Sequence, residues 1–241
     1  MAVAFNPKIS FVILTWNSQN DIIECLDSID KTCGREEIEY KVFVVDNGSS
    51  DKTVEVLENY AARKPQQIHI DRLPENKGTT LPRNIALRKV DTPFVAVMDS
   101  DTVFLKGRLS QMFAYFDQHQ DIGLIAPQLV LLDGTVQNSV KKFPTLPDKV
   151  LKLRGILRLG SPLNVDFYEN FPFQEPREAD TAISAAWFFR KELLQKIGYL
   201  DENIFYAPED VDYSLRVWEA GLKIVYYPYL QILHRTQQIS H

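Results

Sequence analysis

The stretch Phe94-Val95-Ala96-Val97-Met98-Asp99-Ser100-Asp101 decides the fold. Five apolar residues run without a break into two acids set one residue apart. An unbroken apolar run of this length fits a strand covered on both faces of a sheet. Charges cannot stay inside such a strand, so Asp99 and Asp101 are expected where it leaves the sheet. In extended chain, residues i and i+2 point the same way. Both carboxylates then aim into the crevice beyond the strand ends, where open α/β sheets bind ligands. Two converging acids repel unless a proton or cation lies between them, and Mg²⁺ or Mn²⁺ sites use one or two carboxylates in this way. The competing reading is a solvated acidic turn, and a short motif alone does not separate the two.

Outward from this strand the pattern repeats. Ile9–Thr15 and Lys41–Asp46 are two more apolar runs, and the second also ends in an acid. Ile68-His69-Ile70 reads as a short strand. Between the runs, Ile22, Cys25 or Leu26, and Ile29 recur at helical spacing. Ser50 is placed to cap a helix from Asp51 to about Ala62. Pro82 suits the first turn of a helix reaching about Lys89. Strands alternating with helices predict a mainly parallel, doubly wound sheet, with the ends at Thr15, Asp46 and Asp99 lining one crevice.

The later chain is less regular. Leu109, Met112, Phe113 and Phe116 mark an amphipathic helix, Ile122–Ala126 a strand, and Asp133-Gly134 a hairpin turn. Lys141, Lys142, Lys149, Lys152, Arg154 and Arg158 form a basic tract against the single acid Asp148. That tract reads equally as a solvated surface or as a contact for anionic lipid headgroups. Residues 161–180 are expected to form a loop over the active face. Ile183–Phe189 reads as a strand and Lys191–Ile197 as a helix closed by Gly198. Pro208-Glu209-Asp210-Val211-Asp212 opens a last helix, and Lys223–Tyr227 and Leu230–His234 are two final strands.

Composition sets the outer bounds. The 241 residues are 45% hydrophobic and 24% charged, ordinary values for a globular α/β protein. A net charge of -5 argues against a general nucleic-acid binder. Cys25 and Cys33 have neither metal-ligand nor redox spacing. Met1–Lys8 lacks a signal-peptide layout, and no apolar run nears the ~18–20 residues of a membrane span. A reduced, cytoplasmic setting is the default expectation.

Taken in order, five motifs resemble those of a known family. They are Ile13-Leu14-Thr15-Trp16-Asn17-Ser18, Val44-Val45-Asp46-Asn47-Gly48-Ser49-Ser50-Asp51, Glu75-Asn76-Lys77-Gly78, Asp99-Ser100-Asp101-Thr102, and Glu209-Asp210-Val211-Asp212 with His234. In order and spacing they are similar to family 2 glycosyltransferases of the GT-A fold. Gly134-Thr135-Val136-Gln137 and Lys142-Phe143-Pro144-Thr145 look most like the rhamnosyltransferase-type branch. Pro82-Arg83-Asn84 and Asp99-Ser100 depart from that branch.

The resemblance implies a GT-A, Rossmann-like three-layer fold with a central mixed, mainly parallel sheet. It implies one catalytic domain over residues 1–241, with a nucleotide-binding half (1–105) and an acceptor-binding half (106–241). It implies an inverting, metal-dependent hexosyltransferase of cell-surface polysaccharide biosynthesis. The donor would be a UDP-, dTDP- or GDP-sugar, and the acceptor a saccharide, free or lipid-linked, at the cytoplasmic membrane face. Asp101 and Asp99, with His234, would hold Mg or Mn. Thr15, Trp16, Asn17, Asp46, Asn47, Asn76, Lys77, Gly78, Arg83, Asp99, Ser100 and Trp187 would contact substrates, with Arg83 reaching the diphosphate. Asp210 would act as general base and Glu209 would orient the acceptor or the base. The bland reading of these last acids is helix-dipole pairing in a first turn.

Two other classes compete. A sugar-phosphate nucleotidyltransferase also holds Mg²⁺ on carboxylates, but wants a glycine-rich loop where this chain has Thr15-Trp16-Asn17-Ser18. A non-catalytic nucleotide-sugar-binding module would need none of the acids.

Overall fold

The computed structural model describes residues 5–143, 168 and 171–235. Most of the basic tract, including Lys149, Lys152, Arg154 and Arg158, lies outside the described residues, as does much of the loop expected over 161–180.

The chain runs β1 (Ile9–Thr15), α1 (Ile22–Arg35), β2 (Tyr40–Asp46), α2 (Thr53–Ala61), β3 (Ile68–Arg72), α3 (Thr80–Leu87), β4 (Phe94–Asp99) and β5 (Thr102–Lys106). Then follow α4 (Leu109–Gln118), β6 (Ile122–Val130), the short β7 (Val140–Lys141), β8 (Arg177–Glu178) and β9 (Thr181–Ala182), and β10 (Ala186–Arg190). The helices α5 (Glu192–Ile197) and α6 (Glu209–Glu219) precede the last strand, β11 (Lys223–His234). Among the described residues no helix is long and apolar enough to cross a membrane.

Strand alternation divides the interior in two. Phe11, Val42, Val44, Ala96 and Met98 face one core with α1, α2 and α4. Val12, Phe43, Val45, Val95 and Val97 face the other with α3, α5 and α6. The result is helices on both faces of one sheet, as the doubly apolar strands predict.

That nine-stranded sheet runs β3-β2-β1-β4-β10-β6-β11-β5, with β8 also on β11. The first four strands are all parallel. Beyond β4 the pairing is antiparallel at β10–β4, β10–β6 and β11–β5 and parallel at β11–β6. The sheet is therefore mixed, and the doubly wound expectation holds for its first half alone. Strands that the chain leaves by tight turns, as β4 does at Ser100-Asp101, cannot be followed by a crossover helix.

Several boundaries also differ from expectation. The helix read from Asp51 starts at Thr53, because Asp51 itself accepts from the Thr53 N–H at 2.9 Å and takes the place assigned to Ser50. The strand read over Ile183–Phe189 begins at Ala186, after a turn at Ser184-Ala185. The two strands expected at the C-terminus are one, β11, whose register on β6 shifts between Tyr227 and Gln231. Pro228 lies in that shift, where a residue without an N–H breaks no ladder bond.

Candidate active site

The parallel strands bring their ends together by register. Thr15 pairs with Asp46, and Leu14 with Asp99, so β1, β2 and β4 finish on one edge. Beyond that edge Asp99 and Asp101 converge, though not along an extended chain. Ser100 and Asp101 form a turn, fixed by the Thr102 hydroxyl donating to the Asp99 carbonyl at 2.7 Å. His234, the last residue of β11, arrives beside them because it pairs with Thr102. One ligand atom from each of Asp99, Asp101 and His234 lies within 4.8 Å of the others.

His234 Nδ1 sits 2.8 Å from Gln137 Oε1, and Nε2 3.7 Å from Asp101 Oδ1. With Nδ1–H donating to Gln137, Nε2 carries the lone pair on the acid side. Burial pushes the imidazole below its ordinary pKa, with an opposing pull from Asp99. Two carboxylates and a neutral imidazole held by an outer amide form a donor set that fits a divalent cation.

Arg83 joins this cluster to the start of α6. It is 2% exposed. Its Nη2 donates to Asp99 Oδ1 at 2.6 Å, and its Nη1 to Glu209 Oε1 at 3.2 Å and Ser184 Oγ at 3.0 Å. The Ser184 hydroxyl pairs with Glu209 Oε1 at 3.1 Å. Both terminal nitrogens of Arg83 are engaged by protein groups, as a buried guanidinium requires paired anions. Glu209 is likewise an anchor in the interior. Its neighbour Asp210 is half-buried, and burial pushes its carboxyl above the ordinary range, with Lys141 opposing and Glu209 reinforcing the shift.

The other candidates gather at the ends of β1 and β2. Asp46 is 2% exposed; its Oδ2 accepts from the Ser49 N–H at 3.1 Å. Asp46 Oδ1 and Thr15 Oγ1 are buried without a hydrogen-bond partner among the described residues. Asn17 accepts from the Ser50 N–H at 2.9 Å, and Trp16 is partly exposed beside it. Ser100 Oγ shares a 2.8 Å bond with Ser18 Oγ. The Asn47 amide is engaged at both ends, and Asn76 is engaged through its Oδ1. Asn47 bonds Asn76 Oδ1, the Gly78 carbonyl and the Lys77 N–H, while Asn76 Oδ1 also takes the Gly78 N–H. Together they pin the Glu75–Gly78 loop over β2. Lys77 points its ammonium at Glu75.

Trp187 faces the interior. It is 1% exposed, stacks on Tyr213 with centroids 5.6 Å apart and donates its indole N–H to the Ala182 carbonyl. It belongs to the core on the α6 face, as a large aromatic in a central strand should. Gln137 and Ser184 are the residues that sequence reasoning left out. The Asp133-Gly134 turn was the signal for Gln137: the hairpin it makes returns the chain along β6, with the Gln137 N–H on the Leu129 carbonyl.

Known proteins place this geometry. The family model described as Glycosyl transferase family 2 matches residues 10–198. Poly(ribitol-phosphate) beta-N-acetylglucosaminyltransferase TarS of Staphylococcus aureus is 32% identical over 160 residues, 66% of this chain and 27% of the relative. The pre-mycofactocin glycosyltransferase of Mycobacterium tuberculosis is 30% identical over 200 residues, 82% of this chain and 38% of the relative. This chain thus spans well under half the length of either. In structure, GalNAc-T7 solved with UDP, GalNAc and Mn²⁺ superposes with a TM-score of 0.73 at 15% identity, covering 98% of this chain and 45% of that one. The GT-A architecture and the strand-end motifs agree with the family match, and the chain belongs to glycosyl transferase family 2.

Proposed function

We propose that the chain is an inverting, metal-dependent glycosyltransferase that moves a sugar from a nucleoside-diphosphate donor to a saccharide acceptor in polysaccharide biosynthesis. The observation that carries this reading is the meeting of Asp99, Asp101 and His234 at the edge where β1, β2 and β4 end. Asp101, Asp99 and His234 would hold Mn²⁺ or Mg²⁺, which supplies positive charge against the diphosphate leaving group. TarS has been solved with UDP and with UDP-GlcNAc, which favours UDP over dTDP or GDP as the donor base.

In this reading residues 1–105 bind the nucleotide and 106–241 the acceptor. Thr15, Trp16, Asn17 and Asp46 receive the base, and the unpartnered Thr15 Oγ1 and Asp46 Oδ1 support that placement. The Asn47–Asn76 clamp holds Lys77 and Gly78 at the donor. Arg83 holds Asp99 and Glu209 in register rather than touching the donor. Asp210 removes the acceptor hydroxyl proton during attack, and its raised pKa suits a base that must take and release a proton. A single displacement of this kind inverts the anomeric centre. The relatives' names attach such chemistry to poly(ribitol-phosphate), and the reading places the work of this chain at the cytoplasmic membrane face.

Calorimetry with UDP-, dTDP- and GDP-sugars, with and without Mn²⁺, is the first test. Metal-dependent binding of one nucleotide sugar, followed by transfer to a saccharide with inverted NMR coupling at the new bond, is the expected result. Binding with no turnover on any acceptor would leave a non-catalytic module. No binding to any donor overturns the reading.

A further inference from the structure

A cavity of about 680 Å³ opens on the sheet edge away from the metal-ligand cluster. Arg35, Lys106 and Arg108 line it, and among the described residues no carboxylate does. Lys106 ends β5 and Gln231 pairs with it from β11. Lys106 lies four residues along β5 from Thr102, the partner of His234. At the usual strand rise this puts Lys106 about 13 Å from Thr102.

The lining is organised before any ligand arrives. Arg35 Nη2 donates to the Gly107 carbonyl at 2.6 Å, which holds the guanidinium at the rim. Glu36, 3.9 Å from that nitrogen, has its own carboxylate turned to the Leu109 and Ser110 N–H groups at 2.9 and 3.0 Å. Lys106 and Arg108 are exposed and make no ion pair among the described residues. Gln128 is buried and fully used: it donates to the Tyr226 hydroxyl and the Phe173 carbonyl, and its Oε1 accepts from Gln231 at 2.7 Å. That bond leaves the Gln231 carbonyl oxygen as an acceptor for a ligand. Tyr229, 54% exposed, adds an aromatic wall.

Three cations attract an anion, an amide reads hydroxyls, and an aromatic ring packs on sugar C–H faces. The geometry points to this cavity as a subsite for an anionic group, phosphate or carboxylate, carried by the acceptor chain away from its reacting end. It rests on the glycosyltransferase reading and extends it to the acceptor's charge.

The test is calorimetry on the full chain at low salt, comparing wild type with the Lys106→Gln/Arg108→Gln double variant. Both positions are surface residues outside the proposed catalytic groups. The probes are a glycerol-phosphate oligomer, an oligogalacturonate, neutral maltohexaose and phosphatidylglycerol vesicles, with UDP plus Mn²⁺ as a separate titration. The anionic oligomer should bind wild type and lose about tenfold in the variant, two exposed pairs together being worth roughly 1.4 kcal/mol. UDP binding should not change. Preference for the phosphodiester or the carboxylate arm identifies the group. Equal binding by both proteins, binding of maltohexaose with the same loss, or a response to vesicles alone overturns the subsite. Failure of UDP to bind wild type sinks the donor reading instead, and the oligomer arm still reports on the cavity.

Discussion

Arg83 Nη2 lies 2.6 Å from Asp99 Oδ1, so a cation buried to 2% exposure holds one acid of the Asp99–Asp101–His234 cluster. Its other terminal nitrogen holds Glu209, whose side chain is 6% exposed, whereas that of Asp99 is 33% exposed. Water therefore screens the Asp99 pair, and most of the energetic weight falls on Glu209. Arg83→Met leaves Glu209 charged, buried and unpaired, which is expected to cost about 3–5 kcal/mol. For a chain of this size each kcal/mol lowers Tm by roughly 2–4 °C. Arg83→Lys, which keeps the charge and loses the fork, should fall between. A thermal melt of the methionine variant that matches wild type removes the pairing from the account of the fold.

Asp210 gives a prediction in which activity and stability move in opposite directions. Burial raises its carboxyl pKa, so the native state holds that proton more tightly than the unfolded chain does. For a raised carboxylate the sign is fixed: stability is present at low pH and is lost as pH climbs from the ordinary value of 3.8 through the folded one. Near pH 7 the charged form is a native-state cost. Asp210→Asn removes that charge, so its Tm at pH 7 should be equal to or above wild type, with the gap closing toward pH 4. Transfer should fall by about 10²–10⁴, the usual contribution of a general base, while UDP titrations stay unchanged. The acid limb of kcat/KM in wild type should sit above the ordinary carboxylate range. Full turnover by the asparagine variant takes the base assignment away.

How far the sequence is legible depends on the range of the contacts. The parallel half could be read because Phe94–Met98, Phe11–Leu14 and Val42–Val45 are continuous apolar runs, each followed by a polar residue, and periodicity is a local signal. The antiparallel half could not, because β10 is five residues long and its partner is chosen by the Ser184-Ala185 turn, not by its own pattern. The acids at Asp99, Asp101 and Asp210 were visible as types, yet their supports were not. Arg83 meets Asp99 across 16 positions, Ser184 across 101 and Glu209 across 126. No local pattern distinguishes an arginine so placed from one aimed at a phosphate. The 1% exposure of Trp187 was equally hidden, since an aromatic packed in a core and one facing a ligand look alike until burial is known.

The metal-ligand cluster makes a third prediction. Asp101, in the turn after β4, and His234, at the end of β11, converge, with Gln137 fixing the imidazole. Chelation by EDTA should stop turnover, and added Mn²⁺ or Mg²⁺ should restore it, the better of the two naming the working ion. Asp101→Asn and His234→Ala should each weaken Mn²⁺ binding by at least tenfold in calorimetry. Gln137→Leu should weaken it by roughly 10–100-fold, as removal of an orienting partner does, without changing Tm by more than a few degrees. Turnover that survives exhaustive chelation removes the cation from the mechanism.

Two glycines with the same backbone angle separate strain from crowding. Gly78 has φ 82° and Gly134 φ 83°. Any L side chain at either position carries the left-handed penalty of roughly 1–2 kcal/mol. A Cβ on Gly134 meets nothing within 4 Å, whereas one on Gly78 would lie 2.1 Å from the Phe205 carbonyl oxygen. That carbonyl is not free to retreat, because it accepts the Thr79 N–H at 2.7 Å while the Ile204 carbonyl takes the Thr80 hydroxyl at 2.6 Å. Gly134→Ala should therefore lower Tm by only a few degrees and leave donor binding alone. Gly78→Ala must push the Ile204–Phe205 segment off the start of α3, so it should cost clearly more in Tm and raise the KM for the donor. If the two variants melt together, the Phe205 contact does not hold the Glu75–Gly78 loop, and the close packing of these two segments has no part in closing the donor site.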